Sequence, residues 1–242
     1  MNLAIDVGNS LIKFGVFDSQ ILKAKKNCNK QDFSDVLEAI HSSYPTINRC
    51  IVSSVINFSE GELSNLKQRF EVLILNHETK IPFINNYATP KTLGIDRIAL
   101  VSAASQKYLG RNILIIDAGT CITYDFLTAQ NEYTGGAISP GIQMRYKALN
   151  TFTEKLPLLN LEKADLLIGN STTTSIHSGI VNGVLFEIEG FINKYKEKDN
   201  NLTVILTGGD LDFLRDSIKN DIFANSNFLL EGLNHILEYN KH

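Results

Sequence analysis

The chain lacks the features that would place it in several large classes. No apolar run approaches the roughly 18 residues of a membrane-spanning helix. Positive charge is not in excess: the formal net charge is −3, whereas a general nucleic-acid binder is normally basic. The one dense basic run, Lys23, Lys25 and Lys26, reads as a solvated strand edge. Three cysteines, Cys28, Cys50 and Cys121, form no C-x-x-C pair. Their odd number fits reduced thiols in a cytoplasm rather than a disulfide framework or a zinc site. The five histidines show no metal spacing. Asp6 stands where a signal peptide would be apolar, so a cytoplasmic protein with no membrane and no nucleic-acid partner is expected. Neither G-x-x-x-x-G-K-[ST] nor G-x-G-x-x-G occurs, which excludes a Walker loop and a dinucleotide fingerprint.

What is present is a repeated hairpin. Ile113 to Asp117 reads as a buried strand, Ala118-Gly119-Thr120 as a tight turn, and Cys121 to Phe126 as a second strand. The same pattern opens the chain: Leu3 to Asp6, Val7-Gly8-Asn9-Ser10, then Leu11 to Phe17. The two copies stand nearly half a chain apart in 242 residues. The repeat is therefore at domain scale, and the chain divides into halves 1–109 and 110–242.

Between the hairpins, Ile21 to Ala24 reads as a strand and Asp32 to Tyr44 as a helix with Phe33, Val36, Leu37 and Ile40 on one face. Cys50 to Val55 reads as a strand, Ser59 to Phe70 as a helix, and Glu71 to Leu75 as a strand. A long polar loop, Asn76 to Leu93, leads into a helix from Gly94 to Tyr108 that stops at Gly110. After the second hairpin a strand is expected at 132–138 and a glycine-rich turn from Gly135 to Gly141. A helix from Ile142 to Thr151, a variable stretch and a long helix from Thr172 to Lys198 follow. Ile176, Ile180, Val184, Phe186, Ile188 and Phe191 are its apolar candidates. Leu202 to Leu206 reads as a strand, 211–218 as a short helix, 222–229 as a strand and 231–239 as a closing helix.

The hairpins carry candidate chemistry. A glycine turn lets backbone N–H groups approach an anion closely. Asn9, Ser10 and Thr120 add side-chain donors, and Lys13 adds charge. Asp6 and Asp117, at strand ends, offer the oxygen that hard cations prefer. Each turn alone is equally an ordinary hairpin; two at equivalent places argue for phosphate binding. Asp96 and Arg97 pair a base with a positive group where a loop enters a helix, as phosphoryl transfer to an alcohol requires. A helix-start aspartate beside a surface arginine is the plain alternative. Thr207-Gly208-Gly209-Asp210 and the cluster Ser171 to Ser175 are open in the same way: strand-to-helix turn or nucleotide contact, helix cap or substrate hydroxyl. Cys121 reads as a packed thiol.

In order along the chain, Asp6-Val7-Gly8-Asn9-Ser10, Gly94-Ile95-Asp96-Arg97, Asp117-Ala118-Gly119-Thr120, Gly135-Gly136-x-Ile138-x-Pro140-Gly141 and Thr207-Gly208-Gly209-Asp210 resemble the motifs of type III pantothenate kinases. That family lies in the superfamily of actin and the acetate and sugar kinases, and the resemblance covers nearly the whole chain. It implies an α/β fold of two duplicated ribonuclease-H-like halves with a nucleotide cleft between them. It implies ATP-dependent phosphorylation of pantothenate to 4'-phosphopantothenate, the first step towards coenzyme A. The family's ATP segment falls on Asp6, Val7, Gly8, Asn9, Ser10, Leu11, Ile12 and Lys13, with Thr120 a further contact. Its general base falls on Asp96. Its pantothenate contacts fall on Gly94, Ile95, Asp96, Arg97, Tyr87 and Thr172, with Thr173 and Thr174 beside the last. The implied cofactors are Mg²⁺ with ATP and a monovalent cation at Asp117, K⁺ or NH₄⁺. A homodimer is implied as well. Ser10 replaces a common threonine and keeps the hydroxyl. A related kinase with another hydroxylated acceptor, and a nucleotide-binding regulatory protein without catalysis, are the alternatives.

Overall fold

The computed structural model describes residues 1–8, 11–54 and 60–241, and of Glu60 the backbone alone. Val55 and Ser59, expected at the ends of a strand and a helix, lie outside the described residues, as do Asn9 and Ser10. The chain forms two compact units. The first holds residues 1–109, 130–134 and 227–242; the second holds 110–129 and 135–226.

In the first unit, β1 (Asn2–Val7), β2 (Ile12–Asp18), β3 (Ile21–Cys28), β4 (Arg49–Ser54) and β5 (Glu71–Ile74) form one sheet in the order β3-β2-β1-β4-β5. β1 runs antiparallel to β2 and parallel to β4. Alternation explains its two faces. Leu3, Ile5 and Val7 enter a core with Phe14, Val52 and the buried side of α1 (Phe33–Ser43), where Phe33, Leu37 and Ile40 meet them, together with Leu66 of α2 (Glu60–Arg69). β3 is the edge strand that carries the lysines, half-exposed along most of its length, and it runs on to Cys28.

The long loop contains the short β6 (Ile84–Asn85) and then meets α3 (Ile95–Lys107). Everything from Arg97 to Ser105 on α3 is buried. The C-terminal helix α8 (Phe228–Tyr239) lies against it. The contact is close: a Cβ on Gly232 would sit 1.8 Å from the Ala99 carbonyl oxygen.

The second unit repeats the plan. β7 (Ile113–Ala118), β8 (Cys121–Leu127), β9 (Glu132–Pro140), β10 (Thr203–Thr207) and β11 (Phe223–Ala224) lie in the order β11-β10-β7-β8-β9. Again the central strand is antiparallel to the next in sequence and parallel to one that follows a helical excursion. The first residues of β9 belong to the first unit, where Glu132 and Tyr133 pair with β6. Helices α4 (Ile142–Thr151), α5 (Thr172–His177), α6 (Gly183–Lys196) and α7 (Leu211–Leu214) complete the unit.

Three expectations are corrected. Gly135 to Gly141 is not a turn: β9 continues to Pro140. A Cβ on Gly136 would meet the Tyr124 carbonyl at 1.5 Å, so this glycine serves close strand packing. The strand expected at 222–229 is confined to Phe223–Ala224, and α8 starts at Phe228, because the apolar run Phe228-Leu229-Leu230 suits either element and here anchors a helix. The long helix is α5 and α6 joined by a π segment, Ser178–Asn182. Ile176, Ile180, Val184, Ile188 and Ile192 recur every four residues and are all buried. A wider π turn keeps that spacing on one face, while Phe186, half a turn from Val184, is 63% exposed.

Gly232→Ala should destabilise the protein although alanine is the better helix former. The expected loss in urea unfolding is about 1–3 kcal/mol, the range for overpacking. A variant as stable as the parent would mean that α3 and α8 can part freely.

Candidate active site

In the first unit the site grows from the end of β1. Asp6 is 6% exposed. Its register partner on β2 is Lys13, and its partner on β4 is Ser53. The Lys13 ammonium lies 3.7 Å from Asp6 Oδ2. Burial pushes the Asp6 carboxyl up to about 6; Lys13 pulls it down and the negative Asp96 adds to the rise. Asp6, Lys13 and Asp96 are thus brought together. The turn beyond Asp6 is closed by Gly8 N–H donating to the Leu11 carbonyl at 3.1 Å. Val7 and Ile12, paired with each other across β1 and β2, point into the core, whereas Leu11 is exposed.

Gly94, Ile95, Asp96 and Arg97 form the start of α3. Asp96 Oδ1 accepts from the Arg97 backbone N–H at 2.8 Å. That bond and the positive end of the helix hold the carboxylate in place. Arg97 is buried, with its guanidinium carbon 5.6 Å from the centre of the Tyr87 ring. Such stacking is favourable for a desolvated cation. Tyr87 in turn stacks on Tyr133 at 6.0 Å, and Phe83 meets the same ring edge-on. Tyr133 therefore seats the loop that carries Tyr87, a role with no local motif to announce it.

In the second unit, three segments converge on the β7–β8 turn. Gly119 N–H donates to the Cys121 carbonyl, Gly141 N–H to the Thr120 carbonyl, and Asp210 N–H to the Ala118 carbonyl. Gly208 has φ +102°, and a Cβ there would stand 2.5 Å from Asp117 Oδ1. Both its backbone conformation and the crowding require glycine. Asp117 lies in register with Thr123 on β8 and Thr207 on β10. Thr120 is exposed at the turn.

Thr172 opens α5. It lines an open cavity of about 750 Å³ with Arg145, Leu149, Leu156, Ser175 and Ile176. The cap separates the neighbouring hydroxyls. Ser171 Oγ accepts from Thr174 N–H, and the Thr174 hydroxyl accepts from the backbone of Asn170 and Ser171. Thr174 is occupied by the cap; Thr172 faces the cavity. Arg145 was not flagged by sequence. Its guanidinium donates to Glu187 at 2.5 Å and to Ser139 Oγ at 2.9 Å, and Glu187 accepts from the Tyr124 hydroxyl. Arg145 and Ser139 are near in sequence, but Tyr124 and Glu187 stand tens of residues from their partners, so no local spacing announces the group.

The donor chemistry can be tested against the implied cations. Mg²⁺ is usually bound by one or two carboxylates together with substrate phosphates. A buried carboxylate beside a backbone turn, as at Asp6, fits that arrangement. The Thr123–Asp117–Thr207 row presents hard oxygens on one sheet face, which suits a monovalent cation. Among the described residues no group of three or more His, Cys, Asp or Glu could form a dedicated metal cluster.

Two sheets of one topology, each with a carboxylate ending its central strand beside a glycine turn, define a two-lobed nucleotide-binding fold of the actin and sugar-kinase type. Solved structures agree on the fold. A glucokinase from an Antarctic psychrotroph superposes with TM-score 0.51 at 13% identity, covering 98% of each chain. A Campylobacter jejuni protein described as a Baf family transcriptional activator superposes with TM-score 0.62 at 23% identity, again over 98% of each chain. The family model for type III pantothenate kinase matches residues 2–194. A type III pantothenate kinase of Christiangramia forsetii is 52% identical over 241 residues, covering 100% of this chain and 99% of the relative. The chain belongs to the type III pantothenate kinase family.

The Asp6 shift has a sign that can be checked. In an unfolded chain an aspartate ionises near pH 4. In the fold it does so near 6. Between these values the folded state holds a proton that the unfolded state has released, so this group's stability contribution falls as pH rises from about 4 to about 6 and stays low above. Asp6→Asn should remove that fall. At pH 7.5 its Tm should exceed wild type, by up to roughly 2–3 kcal/mol in unfolding free energy, while ATP binding weakens. A lower Tm at pH 7.5 would contradict desolvation as the dominant effect.

Proposed function

We propose that this chain phosphorylates pantothenate at its primary hydroxyl with ATP, giving 4'-phosphopantothenate at the entry to coenzyme A biosynthesis. The observation that carries the reading is Asp96 at the N-terminus of a buried helix, beside Arg97 and in the electrostatic field of Asp6. Family membership supplies the substrate class.

The first hairpin, Asp6 to Lys13, binds the ATP phosphates through its backbone N–H groups and the Lys13 ammonium. Thr120 gives a further ATP contact from the second hairpin. Asp6 holds the divalent cation that accompanies ATP. When bound, that cation would supply positive charge against the charge that develops on the phosphates. Asp117 holds a monovalent cation, K⁺ or NH₄⁺.

Pantothenate lies against Gly94 to Arg97 and Tyr87, with Thr172 as a further contact. Arg97, held by Tyr87, offers positive charge to the anionic acceptor. Asp96 takes the hydroxyl proton on its carboxylate as the γ-phosphoryl group transfers in line. A carboxylate is a weak base, which suffices here. Phosphoryl transfer through a loose transition state depends more on positioning and electrostatics than on early proton removal. We further propose a cytoplasmic homodimer. Phe152, Leu167, Ile168 and Phe186 are large apolar side chains left exposed on the second unit, as a partner surface would require.

The test is ATP consumption by the purified protein with Mg²⁺ and pantothenate, in potassium and then in sodium buffer. Turnover that requires pantothenate and falls in sodium is expected. Asp96→Asn should lower kcat by about 10²–10⁴, the range for a general base, and leave ATP affinity nearly unchanged. Equal loss of both would make Asp96 structural. ATP binding with no pantothenate-dependent turnover would point to another acceptor or to a regulatory protein.

A further inference from the structure

The two units carry the same row of positions in one register. In the first, β2 places Lys13 beside Asp6 and β4 places Ser53 on its other side. In the second, β8 places Thr123 beside Asp117 and β10 places Thr207 on its other side. Residues directly opposite on neighbouring strands share a sheet face, with Cβ atoms about 4.5–5.5 Å apart. Position by position, Lys13 corresponds to Thr123.

The chemistry at that position differs. Lys13 brings an ammonium to 3.7 Å from its aspartate. Thr123 brings a hydroxyl. Its residue is 9% exposed, and its Oγ1 is buried with no hydrogen-bond partner. A buried hydroxyl without a partner has lost its water for no return, and valine would fill the same space without that cost. An unpaired oxygen beside a carboxylate oxygen is what a bound cation would use.

We propose that Thr123 Oγ1 is a ligand of the monovalent cation, and that this cation stands in the second unit where the Lys13 ammonium stands in the first. The proposal rests on the assignment of the cation to Asp117 made above. It goes further by naming a second ligand and a reason for the ion. One copy of the duplicated hairpin carries its positive charge covalently; the other takes it from solution. Gly208 bears on the same carboxylate, since any side chain there would collide with Asp117 Oδ1.

The test uses the full chain and two readouts, Tm and pantothenate-dependent turnover. Both are followed as KCl replaces choline chloride at constant ionic strength, with NaCl as a second series. Wild type should gain stability with a defined K⁺ midpoint. Thr123→Val should move that midpoint up by about tenfold or more, the loss typical of a removed ligand or its support. Thr123→Ser keeps the hydroxyl and should keep the midpoint. Thr123→Lys should fold without K⁺ and lose the K⁺ response. A wild-type midpoint in Thr123→Val overturns the proposal alone, and loss of the response in Asp117→Asn would then leave the cation at Asp117 without Thr123. Wild-type Tm and turnover indifferent to K⁺ overturn the Asp117 assignment and the proposal with it.

Discussion

Asp6 and Asp117 are each held at the end of a central strand whose other residues exclude water. A carboxylate there is costly, and burial raises the Asp6 carboxyl well above its ordinary range. Much of the local structure follows from accommodating it. Each aspartate has a polar residue opposite on the antiparallel neighbour and a hydroxyl residue opposite on the parallel one. Each is followed by a turn closed by a glycine N–H, Gly8 donating to the Leu11 carbonyl and Gly119 to the Cys121 carbonyl. The second turn is further bound by Gly141 and Asp210 backbone groups. Strand register, which a one-residue slip would reverse, is therefore also what aligns the chemistry.

Helix α3 links packing to reactivity. Its interior is buried throughout, and its first turn carries Asp96 and Arg97. The close approach of α8 at Gly232 fixes its position on the first sheet. A helix so constrained presents Asp96 with little freedom, which the base role proposed for it would need, since phosphoryl transfer depends largely on positioning. The aromatic stack of Tyr133 and Tyr87 serves Arg97 in the same way, converting a long loop into a fixed wall.

The legible parts were those with a local cause. The runs Leu3 to Asp6 and Ile113 to Asp117 read as buried strands because glycine turns bound them closely, and the turns between hairpin strands declared themselves by glycine and small polar residues. Gly94-Ile95-Asp96-Arg97 was readable because loop, helix start and charged pair are contiguous. Gly135 to Gly141 misled because a glycine run signals a turn unless a neighbouring strand presses on it, and Tyr124 is eleven or more residues back in the chain. Phe228 to Leu230 misled because three apolar residues have no period. Among Thr172, Thr173 and Thr174 no sequence pattern distinguishes one hydroxyl from another; the fold engages Thr174 in the Ser171 cap.

By itself, the sequence determined the type and order of most elements, the duplication, the two carboxylate hairpins and the family. Those depend on side-chain periodicity, turn chemistry and motif order, all written along the chain. Only the tertiary structure decided that the C-terminal helix packs on α3, that Tyr133 supports Tyr87, that Arg145 joins Glu187, and that Thr123 stands in register where the first unit has Lys13. These depend on which distant segments meet, and backbone pairing and packing set that at separations no local pattern records.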